Sequence, residues 1–247
     1  MSNSRIGPAL GFLVLLGVVW ISLLDRGQTE IHYFDWHAGA VVLGGVVGSL
    51  MLALNFNVCL AMLKDLLAVI TARDLSASEL NEFAAGVGRM QSSWKEGRRA
   101  QVLSDVESGS SPEIRTAAEA LIQRSSPQRL IERFEFLRAR SSESLLPQIE
   151  GWDMVGRLGP SFGIVGTVAG MVALFRNMGD ASGNLGGSMA LALLSTLYGI
   201  LIGTALGGPM STRINNLLNR RMGLIDLLER QTAALIDEDR RQTDSRP

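Results

Sequence analysis

The chain has 247 residues, of which 47% are hydrophobic and only 19% charged, and its formal net charge is -1. Soluble domains carry about 25% charged residues, and the deficit here is concentrated in four stretches, Ile6–Leu24, Ala38–Leu63, Leu158–Phe175 and Ala181–Thr212, that contain no Asp, Glu, Lys or Arg. Four near-span-length apolar runs exclude an ordinary globular enzyme and a disordered chain, a single cysteine, Cys59, excludes a disulfide scaffold, and the near-neutral charge gives no pull toward nucleic acid.

The first stretch follows Arg5, as the apolar core of a leader would, but it continues to Leu24 and meets Asp25-Arg26-Gly27-Gln28 rather than a small-x-small cleavage site. It reads as a retained helix rather than a cleaved signal. The second stretch ends at Lys64, where a charged segment of about 95 residues begins. That segment has helical grammar throughout. Ser76 stands three residues before Glu79 as a capping box, and Ser110-Ser111-Pro112-Glu113 and Ser125-Ser126-Pro127 each place Pro at a first helical turn. Leu130, Phe134 and Leu137 then fall at helical spacing, and no alternating run marks a strand. These are expected to be short amphipathic helices in a compact domain. After the fourth stretch, Leu217, Leu218, Met222, Ile225, Leu228 and Leu235 continue a helical period, and 237–247 is polar.

The predicted architecture is an all-α membrane protein with four transmembrane helices and a helical cytoplasmic domain between helices 2 and 3. Its parts are 1–63 (stub and helices 1–2), 64–157 (cytoplasmic domain), 158–212 (helices 3–4) and 213–247 (cytoplasmic helix and tail). Lys and Arg number 13 in Lys64–Arg157 and 7 in Arg213–Pro247, against Arg26 and Arg176 alone in the two short loops. Positive charge marks the cytoplasmic side, so both termini and the middle domain are placed there.

The spans hold no carboxylate and no basic residue, and His37 sits at the edge of the second. An ion pathway needs an ionisable group within the membrane. Either this chain transports nothing, or a partner supplies the carboxylate and this chain supplies the wall. No His/Cys cluster, nucleophile elbow or phosphate loop is present, so no enzyme activity, metal or cofactor is expected. The third and fourth spans are rich in small and hydroxylic residues. Gly163, Gly166, Gly170, Gly199 and Gly203 permit close helix packing, and Thr204 reads as a hydroxyl bonded to its own helix.

The block Gly159-Pro160-Ser161-Phe162-Gly163-Ile164-Val165-Gly166-Thr167-Val168-Ala169-Gly170, and the block Ala190-Leu191-Ala192-Leu193-Leu194-Ser195-Thr196-Leu197-Tyr198-Gly199 closed by Pro209, resemble the MotA/TolQ/ExbB superfamily. A weaker block is Val42-Leu43-Gly44-Gly45-Val46-Val47-Gly48. Two spans before the middle domain favour the MotA/PomA flagellar stator branch, with a TolQ/ExbB-like subunit energising another envelope process as the alternative. The resemblance implies an inner-membrane homopentamer around two MotB/PomB-like chains, each carrying the essential Asp, with ion flow converted to torque. It implies that Thr167, Ser195 and Thr196 line the ion path and that Pro160 and Pro209 couple it to the cytoplasmic domain. It also implies a contact with the rotor protein FliG, for which Lys95, Arg98, Arg99, Asp105 and Glu107 are the charged residues available. Here the sequence departs from the family: Trp94 stands where an Arg is usual, and the tail lacks the common Gly-x-Asn-Pro-Arg stretch. Ser195-Thr196 fits either proton or sodium coupling. The five glycines are expected to pack against neighbouring copies in the ring.

Overall fold

The computed structural model describes residues 35–70, 75–98, 102, 111–178 and 185–244. The first apolar stretch and the residues Arg99, Asp105 and Glu107 lie outside them, as do the side chains of the Ser76–Glu79 capping box. Among the described residues the fold is helical, with no strand: α1 (Trp36–Ala53), α2 (Phe56–Ile70), α3 (Leu75–Lys95), α4 (Pro112–Ile122), α5 (Pro127–Asn177), α6 (Leu185–Ile200), a wide π turn (Leu201–Gly207) and α7 (Gly208–Asp244).

Local chemistry sets most of these boundaries. Asp35 caps α1 by accepting from the His37 N–H at 2.8 Å. The second apolar stretch, expected as one element, is two helices. Leu54 is extended, and the Asn55 carbonyl starts α2 by accepting from Val58 N–H at 2.9 Å. Asn is among the residues that favour this capping role, and the new start carries the chain out of the apolar run to Lys64 and Asp65. Pro112 opens α4, as predicted. Its end is a Schellman-type cap, with Ser125 N–H bonded to Ala120 O at 3.1 Å and Arg124 at φ 46°. The Ser126 hydroxyl then accepts from Arg129 N–H at 3.5 Å to begin α5.

One expectation is overturned. The domain was expected to hold only short helices, yet α5 is a single helix of 51 residues with Pro147 and Pro160 inside it. Neither proline starts or stops it. Pro209 likewise fails to terminate its helix: α6, the π turn and α7 form one continuous run. A proline has no N–H for the i−4 carbonyl, and its ring crowds that carbonyl. The π turn immediately before Pro209 is the relief. Gly208 N–H bonds Gly203 O, five residues back, so the backbone widens by one residue where the α pattern would be blocked.

Three helical runs, Trp36–Ala53, Pro127–Asn177 and Leu185–Arg241, are long and apolar enough to cross a membrane. The chain divides into two compact units, Met1–Arg73 with Leu146–Asn215, and Asp74–Leu145 with Asn216–Pro247.

In the second unit, Met90, Trp94, Ile114, Leu121, Phe134, Leu137, Ile225 and Leu228 are buried together with several alanines. The periodic residues read in α5 and α7 therefore are core residues. Polar contacts rim this core. Arg138 bonds Asp226 at 2.7 Å and also pairs with Glu229, Arg124 meets Asp239 at 2.9 Å, and Gln91 donates to Gln231 at 2.8 Å. Ion pairs at the rim of a core contribute about 0–1 kcal/mol each, so apolar burial dominates. Phe134 is fully buried, and Phe134→Ala is expected to destabilise this unit by about 3–5 kcal/mol. Denaturant unfolding of the purified protein, followed through the Trp94 environment, checks it; a loss below about 1 kcal/mol would show that the core does not centre on this ring.

Candidate functional site

In the membrane-spanning unit α5 meets the α6–π run largely backbone to backbone. Along α5, Gly156, Gly159, Gly163, Gly166 and Gly170 form one stripe, and each faces an atom of the α6–π run within ordinary contact range or closer. A Cβ on Gly159 would fall 2.6 Å from Gly199 O and 2.7 Å from Gly203 N. One on Gly170 would fall 2.7 Å from Ala192 N, and one on Gly207 2.5 Å from Gly156 N. Gly163 faces Ser195 O and Thr196, and Gly166 faces the Ser195 side chain. The five glycines expected to pack against neighbouring copies are thus used within the chain: the close approach they permit is between its own two helices. By contrast a Cβ on Gly44 or Gly48 of α1 would meet nothing within 4 Å. α1 packs through Ala38, Val42, Val46 and Leu50 instead, with Phe162 seated over Gly45.

The close approach brings the predicted threonines together. The Thr167 and Thr196 hydroxyls form a short hydrogen bond with each other. Thr167 Oγ1 also lies 3.0 Å from Gly163 O and 3.1 Å from Ala192 O, and Thr196 Oγ1 lies 3.4 Å from Ala192 O. Each hydroxyl has one proton and two lone pairs, so the pair presents oxygen lone pairs beside a carbonyl in an apolar, half-buried setting. Such a group can coordinate a passing cation or water. It cannot bind and release a proton as a carboxylate does, which fits a wall rather than a complete path. Ser195, the third predicted lining residue, is not in this cluster. It is fully buried, donates to Leu191 O at 2.6 Å, and fills the space under Gly166. Thr204, read as a local bond, donates to Ile200 O at 2.6 Å on the exposed side.

Pro160 lies two turns before Thr167 on α5 and withdraws the helical donor from Gly156 O. That carbonyl faces Gly203, whose Cβ would come 2.8 Å from it and 2.5 Å from the Pro160 ring. Pro160 and the π turn before Pro209 therefore sit side by side, two interrupted hydrogen-bond ladders at one level. At one end of the unit the Asp35 N–H reaches the Tyr198 hydroxyl at 3.4 Å. Sequence reasoning missed the Ala192 carbonyl, which no side-chain pattern marks, and Asp65. The Asp65 carboxyl is half-buried, and burial pushes it above the usual carboxylate range, against the opposing pull of Arg213. Of the charged residues proposed for a rotor, Lys95 and Arg98 are exposed, and Arg98 pairs with Glu96. Trp94 beside them is buried in the core of its own unit.

Comparison with known proteins gives a consistent result. Residues 106–226 match the model of the MotA/TolQ/ExbB proton channel family. Motility protein A of Aquifex aeolicus is 23% identical over 211 residues, covering 85% of this chain and 81% of that protein. The solved C. jejuni MotAB structure superposes with TM-score 0.76 at 17% identity, covering 96% of this chain and 90% of the matched one. The flagellar MotAB stator complex from Bacillus subtilis superposes with TM-score 0.72 at 16% identity, covering 92% and 88%.

The glycine contacts yield a direct test. Gly159→Ala must push α5 and α6 apart, because the atoms in the way are backbone, whereas Gly48→Ala adds a methyl to open space. Overpacking costs about 1–3 kcal/mol. Gly159→Ala is expected to lower the thermal midpoint and membrane level of the chain, and Gly48→Ala to leave both unchanged; equal effects would place the close approach elsewhere.

Proposed function

We infer that this chain, a MotA/PomA-like member of the MotA/TolQ/ExbB family, is the stator subunit of a bacterial flagellar motor that forms an ion channel with a MotB/PomB-like partner. It is a channel subunit and not an enzyme. The observation that carries the mechanism is the Thr167–Thr196 hydroxyl pair, set beside the Ala192 carbonyl in a wall of helices whose described spans contain no charged side chain. Neutral oxygens can strip part of a cation's hydration and hand it on, but they cannot hold it against the solvent without a negative charge. The partner's Asp supplies that charge.

We propose further that Ile6–Leu24 is a fourth span. Both termini and the segments 64–157 and 213–247 then lie in the cytoplasm, in keeping with the excess of Lys and Arg there. Five copies surround two partner helices. The exposed apolar residues of α1, Leu43, Val47 and Met51, supply a surface for a neighbouring copy, a role the α5 glycines cannot fill. Thr167 and Thr196 line the ion path, with Ser195 supporting it from beneath Gly166. Pro160 and Pro209 transmit the state of that path along their helices. Lys95, Arg98, Arg99, Asp105 and Glu107 meet the rotor protein FliG. Both H+ and Na+ are compatible with a hydroxyl-lined path.

Reconstitution tests the division of labour. In liposomes the chain alone is expected to carry no gradient-driven proton or sodium uptake, and the co-expressed pair to carry it. Flux through the chain alone equal to that of the pair would overturn the partner-carboxylate mechanism. A second measurement separates the two kinds of threonine. Thr196→Ala removes an oxygen from the shared cluster, whereas Thr204→Ala removes a bond internal to its own helix. Swimming speed is expected to fall sharply in the first and to stay near wild type in the second, since loss of an i−4 back-bond is about neutral. Wild-type swimming in both variants would remove Thr196 from the ion path.

A further inference from the structure

The described spans are empty of charge, and at one end of the unit each helix delivers its first ionisable groups: Lys64 and Asp65 on α2, Glu150, Asp153 and Arg157 on α5, and Arg213 on α7. Gly151 packs against Met62 and Leu54, and Gly207 against the Trp152 carbonyl, so α2 and the π turn that leads into α7 each meet α5 close to these residues. Glu150 and Asp153 are exposed and Asp65 is not. Its Oδ2 is buried and has no hydrogen-bond partner. Arg213 acts on it electrostatically.

A carboxylate oxygen buried without a donor is costly. If Asp65 served only to tie α2 to α7, a direct ion pair would be the cheap solution, and its charged form would be favoured. The balance runs the other way: desolvation outweighs the pull of Arg213, and the carboxyl takes up a proton more readily than a free Asp does. The side chain is half-buried and its Oδ2 is short of partners, the condition in which a perturbed carboxyl is a candidate for proton transfer.

We propose that Asp65 is a second carboxyl in the ion path, the proton acceptor at the inner mouth of the membrane-spanning unit. The proposal rests on the stator reading and adds a residue of this chain to it. A proton arriving as hydronium forms an O–H bond at Oδ2 and leaves water behind. It is then released to cytoplasmic water, and the carboxylate is restored under the field of Arg213. No other reactant is required.

Two measurements test it. In the purified full-length chain, difference infrared spectra across pH steps are expected to show a carboxyl band that titrates above the ordinary Asp value of about 3.9 and is lost in Asp65→Asn. This readout does not depend on motility, so it stands even if the stator reading falls. In liposomes containing the chain with its co-expressed partner, Asp65→Asn is expected to cut proton flux by about 100-fold, the low end of what a positioned proton acceptor contributes. Asp65→Glu is expected to restore most of it. A band titrating in the ordinary range, or full flux in Asp65→Asn at normal membrane level, overturns the proposal. If Asp65→Asn does not accumulate, Arg213→Gln decides: removing the opposing positive charge should move the titration of the band further up, and an unmoved band overturns the proposal.

Discussion

Everything in the membrane-spanning unit depends on how closely α5 approaches the α6–π run. At Gly159, Gly163, Gly170, Gly199 and Gly207 the neighbours are backbone or Cβ atoms of the facing helix, and at Gly203 they are the Gly156 carbonyl and the Pro160 ring. Lipid is as apolar as a leucine side chain, so burial between helices gains little in a membrane. Dispersion between closely placed backbones is what remains, and it is large only when Cβ atoms are absent. The same approach brings Thr167 and Thr196 within hydrogen-bond reach across two helices. A separation of one methyl would dissolve the hydroxyl pair, so the packing and the ion-facing chemistry are one constraint.

The prolines belong to that constraint too. Pro160 releases Gly156 O, and Pro209 obliges the preceding backbone to widen into the π turn. Both consequences fall where glycines keep the helices close, so neither ladder defect is covered by a side chain. A carbonyl without its donor in an apolar setting needs another polar or C–H neighbour, and Gly203 is the residue that Gly156 O faces. The hydroxyl of Thr204 does similar service on the outer side, donating to Ile200 O at the entrance to the wide turn. The two defects are thus compensated locally, without an ordered charge.

Much of this was legible in the residues. Charge-free runs gave the three described spans, periodic apolar residues such as Phe134 and Ile225 gave the core of the other unit, and Ser-Pro pairs gave the starts of α4 and α5. What was not legible arises from geometry that one-dimensional patterns do not carry. Gly163 and Gly199 read as contacts to another copy; only the fold decides which backbone lies opposite. Proline carries the wrong prior in a long helix, since its local cost is overridden where a widened turn and a glycine neighbour absorb it. Leu54-Asn55 lies inside an unbroken apolar run, and the break there, where Leu54 is extended and the Asn55 carbonyl starts a new helix, is marked by no change in hydropathy. Ser195 and Thr196 are adjacent in sequence, but the helical turn sends one under Gly166 and the other toward Thr167.

The wide turn also fixes a length. Twelve residues separate Thr196 from Pro209 in this chain, and one of them is the surplus that the π turn accommodates. An uninterrupted α-helix would bring the same two faces into the same relation with one residue fewer. Chains that build this wall without the wide turn should therefore be one residue shorter over that interval. In an alignment the difference would be a single gap between the hydroxyl pair and the proline, and its apparent position within the glycine-rich stretch would be arbitrary. The gap would look like noise in a repetitive segment, although it would record whether the helix is wound with four or with five residues to its hydrogen-bonded ring.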